Sequence, residues 1–231
     1  MRHLLLALLL LSGIALAEES PCTLDTPVGD FCLLPIESLR PTQSAVGELQ
    51  VTGEVAKIRK QPDLAAWQKK KVIPVVIGPQ GNYYLTDRHH TSHGLWKAGE
   101  RTLVVKIIEH LKKADGFWPE MQARHWVYLF DEHGTAIPPS ALPLRLADMR
   151  DDPYRSLAGF ARNRGYFRGT DAYFMEFEWA RYFGRAMDWQ PVTRSNLEQA
   201  LEKTRKLACE PAAHGLPGYD AAACAASRAV Q

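Results

Sequence analysis

Val72-Ile73-Pro74-Val75-Val76-Ile77, Gly78-Pro79-Gln80-Gly81-Asn82, Tyr83-Tyr84-Leu85 and Thr86-Asp87-Arg88-His89-His90-Thr91 follow one another without a break, and this stretch decides the fold. The first run is rich in β-branched residues, which suit a pleated, half-buried surface. A Gly/Pro/Asn group then separates it from a second apolar run, so the stretch predicts two strands joined by a turn. Beyond Leu85 the polarity changes. Thr86 or Asp87 can cap a helix that runs to about Ala98 and stops at Gly99.

Upstream, residues 18–45 carry several prolines and read as irregular, with one short apolar run from Phe31 to Ile36. Val46 to Lys71 reads as helical, interrupted at Pro62, which suits a helix start. Downstream the pattern predicts strands at Thr102–Ile108 and Trp126–Phe130 and a helix at Phe117–Arg124. A proline-rich connection at Ile137–Pro143 leads to helices near 153–164, 172–187 and 194–208. Strands followed by a run of helices indicate an α+β fold rather than a doubly wound sheet. The expected organisation is a mixed domain over 18–136, a helical extension over 137–208 packed on it, and an irregular tail over 209–231.

Residues 1–17 read as a secretory signal peptide. Met1-Arg2-His3 is followed by an apolar run from Leu4 to Ala17 that closes on Ala15-Leu16-Ala17. Those residues would span roughly 21 Å as a helix, short of a hydrocarbon core of ~30 Å. The expectation is an exported chain, periplasmic or secreted, with no membrane span. Cys22, Cys32, Cys209 and Cys224 all follow the leader, an even number that suits two disulfides in an oxidising compartment. Three pairings are open. Proximity favours Cys22 with Cys32 and Cys209 with Cys224, each stapling one end. The two-residue spacing of a zinc knuckle is absent.

Without Arg2 the basic count falls from 28 to 27 against 26 acidic residues, a formal charge of +1. That balance argues against broad attraction to nucleic acid, so any contact with nucleic acid or nucleotide must come from a local site.

His89, His90 and His93 fall within five residues at a predicted helix start, where unpaired N–H groups and a partial positive charge favour an anion. Arg88 adds a planar fork for the same group. The histidines suit general acid and base roles or, as neutral imidazoles, metal binding, and Asp87 could orient an imidazole or cap the helix. His93 and Asp87 are the residues that would hold a divalent ion. Further on, Asp151-Asp152-Pro153 reads as a helix cap. It leaves Arg155 and Arg162, seven apart and on one face, to bind an anion or pair with Glu176 and Glu178. The aromatic stretch from Tyr173 and Phe174 through Phe177, Trp179, Tyr182 and Phe183 reads as core packing rather than a platform for bases.

These residues resemble the ParB-like nuclease branch of the ParB/sulfiredoxin superfamily over about Leu34 to Gly184. The resemblance is carried by Pro41-Thr42-Gln43, Val46-Gly47 and Lys57. It continues through Gly78-Pro79-Gln80-Gly81, Tyr84-Leu85-Thr86-Asp87 and His89-His90-Thr91. Later come Phe117-Trp118, Trp126-Val127-Tyr128, Asp152-Pro153-Tyr154-Arg155-Ser156-Leu157, Glu176-Phe177 and Trp179-Ala180. It implies a small mixed sheet with flanking helices, a helical C-terminal extension, and a phosphate- or nucleotide-binding loop at Thr86 to Thr91. Relatives carry Asp-Gly-His-His-Thr, so Arg88 stands where glycine is expected and either clasps the phosphate or occludes the pocket. The Gly-Glu-Arg-Arg form of partitioning proteins and the cysteine form of sulfiredoxins are absent.

The reading is therefore an exported hydrolase of phosphodiester or nucleotide substrates. His89, His90 and Asp87 would be catalytic, and Arg88, Thr91, Gln43, Lys57 and Arg155 would hold the anion, with a divalent metal as an optional aid. The alternative is a non-catalytic envelope protein that binds a phosphorylated ligand or a partner.

Overall fold

The computed structural model describes residues 19–229, so the leader expected at residues 1–17 lies outside the described residues. The central sheet combines β1 (Phe31–Pro35), β2 (Leu39–Pro41), β4 (Pro74–Ile77), β5 (Tyr83–Leu85) and β6 (Thr102–His110), in the order β1-β6-β4-β5-β2. Pairing alternates across it: β1 is antiparallel to β6, β6 parallel to β4, β4 antiparallel to β5, and β5 parallel to β2. The quoted strand–turn–strand is thus the centre of a mixed sheet. Its first strand begins at Pro74 rather than Val72, because Val72 takes a positive φ of 52°.

Alternation along the strands covers both faces. Val75, Ile77, Leu85, Leu103, Val105 and Ile107 pack with Val51 and Ile58 of α1 (Glu48–Ile58) and Leu95 of α3 (His89–Ala98). Val76 and Tyr84 point the other way, onto Phe117 and Met121 of α4 (Phe117–Ala123) and Val127. Between α1 and β4 runs α2 (Leu64–Lys71), capped by Asp63 as its side chain accepts the Ala66 N–H.

A further core joins α5 (Pro153–Asn163), α6 (Met175–Ala186) and α7 (Leu197–Leu207) around Leu157, Trp179, Phe183 and Leu201. Phe167 stacks on Trp179 at 4.1 Å. This helical part is tied to α1. The short strands β3 (Ala45–Val46) and β7 (Arg150–Asp151) pair in parallel, and Asp151 Oδ1 accepts the first amide of α1, Glu48 N–H, at 2.9 Å. The α+β class, the mixed sheet and the late helices are as expected.

Three local expectations are corrected. The proline-rich leading segment contains the edge strands β1 and β2, whose prolines Pro35 and Pro41 sit at strand ends, where no ladder bond is lost. Residues 126–130 form no continuous strand, only bridges from Tyr128 to Gln43 and from Phe130 to Ala136. The Tyr128 ring turns toward Phe174 and Phe177 and the Phe130 ring toward Arg181 instead. In the tail, α8 (Ala221–Ala229) replaces irregular chain, since an alanine-rich run needs little to become helical and Asp220 Oδ1 accepts the Ala222 and Ala223 amides.

Disulfides join Cys22 to Cys32 and Cys209 to Cys224. Among the described residues no helix is long and apolar enough to cross a membrane. Both facts are compatible with an exported protein.

Candidate functional site

The chain turns out of β5 through Thr86 and Asp87 and enters α3 at Arg88, whose backbone is left-handed (φ 65°, ψ 27°). That conformation suits glycine and strains other residues, a physical reason for the glycine that the resemblance leads one to expect at this position. The Arg88 side chain makes no capping bond, so no residue of the loop closes off the helix N-terminus as Thr86 or Asp87 were expected to. Asp87 Oδ1 instead accepts the Arg88 N–H at 2.6 Å, and Asp87 Oδ2 lies 3.7 Å from Arg88 Nε.

The two adjacent histidines diverge, yet both reach the segment between β2 and α1. His89 Nε2 accepts the Thr42 N–H at 3.1 Å, while the Thr42 hydroxyl donates to the Leu85 carbonyl at 2.5 Å. His90 Nε2 accepts the Gly47 N–H at 3.0 Å. A nitrogen that accepts a backbone N–H carries no proton, so each neutral ring is the Nδ1–H tautomer. Burial holds His89 down at about 3, and burial, followed by the Arg155, His89 and His93 charges, holds His90 well below the usual imidazole range. Both rings are neutral donors at ordinary pH.

Around them lies a cavity of about 370 Å³. Gln43 enters from the β2–β3 turn, Gln50 and Glu54 from α1, Lys71 from the end of α2, Asp87 to Thr91 from the loop and α3, Arg155 and Arg162 from α5, and Glu176 from α6. The late helices thus complete a site begun by the sheet domain. Arg155 donates from Nη1 to Gln50 Oε1 at 3.0 Å, lies 3.7 Å from Glu176 Oε2, and rests on the Phe177 ring. Arg162 pairs with the other oxygen of the same carboxylate. Burial pulls the Arg155 pKa down, and the Glu176 and Asp152 carboxylates pull it up. Asp152, buried beside the site, caps α5 by accepting the Arg155 N–H at 2.7 Å, and burial lifts its carboxyl to about 6.

Two polar atoms of this wall have no protein partner: His89 Nδ1 and Arg155 Nε, both buried. Buried donors are almost always satisfied, so unpartnered ones beside a cavity mark where a ligand or ordered water belongs. The wall holds Lys71, Arg88, Arg155 and Arg162 against Glu54, Asp87 and Glu176, and is cationic on balance.

The cavity brings together Gln43, Asp87, Arg88, His89, His90, Thr91, Arg155, Arg162 and Glu176 from among the residues singled out in the sequence. It leaves out two. Lys57 is exposed and bound by Glu54 at 2.6 Å, one helical turn beyond the wall. His93 faces α1, where its Nε2 lies 3.0 Å from Glu48 Oε1, and Glu48 also binds Lys97. Among the described residues no group of three or more His, Cys, Asp or Glu side chains stands together to hold a metal. Gln50, Glu54 and Lys71 were not anticipated. Their one sequence signal is the i,i+4 spacing of Gln50 and Glu54 on the polar stripe of α1.

The family profile described as "Putative ParB-like nuclease" matches residues 32–185, which contain every residue of this cavity. The chain belongs to that ParB-like family. A crystal structure of the protein Atu1540 from Agrobacterium tumefaciens is similar to it, with 31% sequence identity and a TM-score of 0.72, covering 83% of this chain and 98% of that one. No curated protein matches the chain. The loop after the central hairpin and the helix it opens are where sequence motif and cavity coincide.

Proposed function

We propose that the cavity binds the phosphate of a nucleotide or nucleic-acid strand and that the protein is an exported phosphodiester hydrolase. The observation that carries the reading is the convergence of Lys71, Arg88, Arg155 and Arg162 on one cavity, beside two buried N–H donors without a protein partner, His89 Nδ1 and Arg155 Nε. An anion matches such a cluster of cations, and charge-assisted bonds of this kind are roughly twice as strong as neutral ones. Family membership supports the nuclease class, and the disulfides with the N-terminal sequence support export.

In this reading the histidines are fixed neutral donors and anchors of the 42–47 segment, because Nε2 of each is engaged by a backbone amide. Glu176 is paired with two arginines and Glu54 with Lys57, whereas Asp87 is exposed and held only by its neighbour Arg88, so it is the carboxylate best placed to take a proton. Water attacks phosphorus, Asp87 accepts its proton, and the leaving oxygen departs with the bonding pair while the arginines hold the developing charge. Gln43 and Thr91 would orient the bound phosphate.

The test is mature protein with bis(p-nitrophenyl) phosphate, oligonucleotides and nucleotides, with and without Mg²⁺ or Mn²⁺. Asp87→Asn should abolish turnover and keep phosphate-dependent thermal stabilisation, whereas Arg155→Gln should lose both. Stabilisation without turnover in the wild type would replace hydrolysis by ligand binding alone.

A further inference from the structure

Tyr173 departs from the rest of its aromatic stretch. Phe177, Trp179, Tyr182 and Phe183 are buried, whereas Tyr173 is 61% exposed. It is not loose: its ring stacks on the exposed His125 ring, with centroids 4.0 Å apart and planes within 14°. Both partners come from constrained backbone. His125 is left-handed at φ 56°, and Phe174, next to Tyr173, is left-handed at φ 57°. Two unfavourable turns are thus kept where they hold one aromatic pair at the surface.

The pair lies beside the phosphate cavity along two routes. Tyr173 is three residues from Glu176, a wall residue, and His125 is three residues from Tyr128, whose backbone bridges to Gln43, another wall residue. Three residues span at most ~11 Å. Between the routes the packing is continuous: Phe174 contacts Tyr128, Tyr128 stacks on Phe177 at 4.1 Å, and Phe177 carries the Arg155 guanidinium.

The geometry points to the His125–Tyr173 pair as a stacking platform for a nucleobase of a single strand whose phosphate occupies the cavity, an inference that rests on the phosphate reading above. Aromatic faces accept any base, and a base offers its face only when it is unpaired or unstacked, so duplex is not the ligand the pair fits. Basic side chains beside an aromatic surface match a strand with alternating phosphate and base.

The experiment compares full-length protein binding to a ten-residue oligothymidylate, to an abasic phosphodiester strand of equal length, and to inorganic phosphate. Tyr173→Ala should lower affinity for oligothymidylate about tenfold, toward the lower end of what one stacked base contributes. It should leave the abasic strand and phosphate unchanged, with an unaltered melting temperature, and Tyr173→Trp should bind like wild type. Equal oligothymidylate binding by wild type and Tyr173→Ala overturns the platform, as does an equal loss for both strands. If phosphate binds but neither strand does, the platform is wrong and the phosphate pocket stands. If phosphate also fails to bind, the pocket reading falls and takes the platform with it.

Discussion

Glu176 on α6 pairs with Arg155 on α5 in the cavity wall, its Oε2 3.7 Å from Nη2, while its other oxygen is paired with Arg162. One carboxylate therefore occupies the charge that two arginines would otherwise offer to a phosphate. Removing it leaves Arg155, only 13% exposed, without its counterion. Breaking a fully buried pair costs ~3–5 kcal/mol, and the partial exposure here lowers the figure to about 2 kcal/mol. Glu176→Gln should accordingly melt about 5 °C lower. Phosphate should then substitute for the carboxylate, so the phosphate-induced rise in melting temperature should be larger in the variant than in the wild type. An equal rise in both would show that the anion does not bind these arginines.

Arg88 gives a prediction of opposite sign. Its left-handed backbone costs ~1–3 kcal/mol in a non-glycine residue, against ~0.4–1 kcal/mol of unfolded-state entropy that glycine adds. Strain relief wins. Arg88→Gly should stabilise the protein by about 1 kcal/mol, a rise of ~2–4 °C. If Arg88 clasps the phosphate, affinity falls in the same variant; if it occludes the cavity, affinity rises. Thermal melting and phosphate titration of one variant separate the two roles.

The turn at Arg88 also marks how far the sequence could be read. The hairpin, the loop and α3 are specified by residues adjacent in the chain, so their periodicity and turn chemistry sufficed. The cavity depends on contacts made across the fold. Lys57 lies on the same stripe of α1 as Gln50 and Glu54, and only packing decides that the wall ends a turn earlier and that Lys71 supplies the cation. Adjacent histidines must diverge on a helix, but that both would accept amides of one segment, Thr42 and Gly47, follows from where β2 and α1 lie. Tyr173 was hidden by its buried neighbours, since its partner His125 is far away in sequence.

Titration of the buried imidazole gives the third prediction. His89 titrates near 3 in the folded protein and near 6.5 when unfolded. Between those values the unfolded chain binds a proton that the folded chain refuses, so stability is full above pH 6.5 and falls as pH drops. The loss approaches ~1.4 kcal/mol per pH unit for each such group. His90 and His93 are also lowered and add to this slope, whereas Asp152, raised from 3.8 to about 6, opposes it between those two values. The informative quantity is hence a difference. His89→Gln keeps an acceptor for the Thr42 amide but does not titrate, so urea unfolding between pH 6.5 and 4.5 should show a slope shallower by about 1.4 kcal/mol per unit. An unchanged slope would mean that the ring is protonated in the folded state.

Gly47 joins the two halves of the site. Its N–H goes to His90 Nε2, and a Cβ built on it would stand 2.5 Å from Ser156 Oγ and 2.7 Å from Ser156 N. Its backbone (φ −80°, ψ 100°) is open to any residue, so the obstacle to Gly47→Ala is steric alone. Overpacking of this kind costs ~1–3 kcal/mol, and the upper end applies because the contact is with backbone and Ser156 is fully buried. Relief requires α5 to move away from α1, which carries Arg155 with it and weakens phosphate binding together with stability. Gly53→Ala on the same helix is the control. That position is exposed with nothing within 4 Å of an added Cβ, so alanine should stabilise α1 by about 1 kcal/mol and leave phosphate affinity unchanged. If Gly47→Ala lost stability but bound phosphate like wild type, the α1–α5 joint would not govern the position of Arg155.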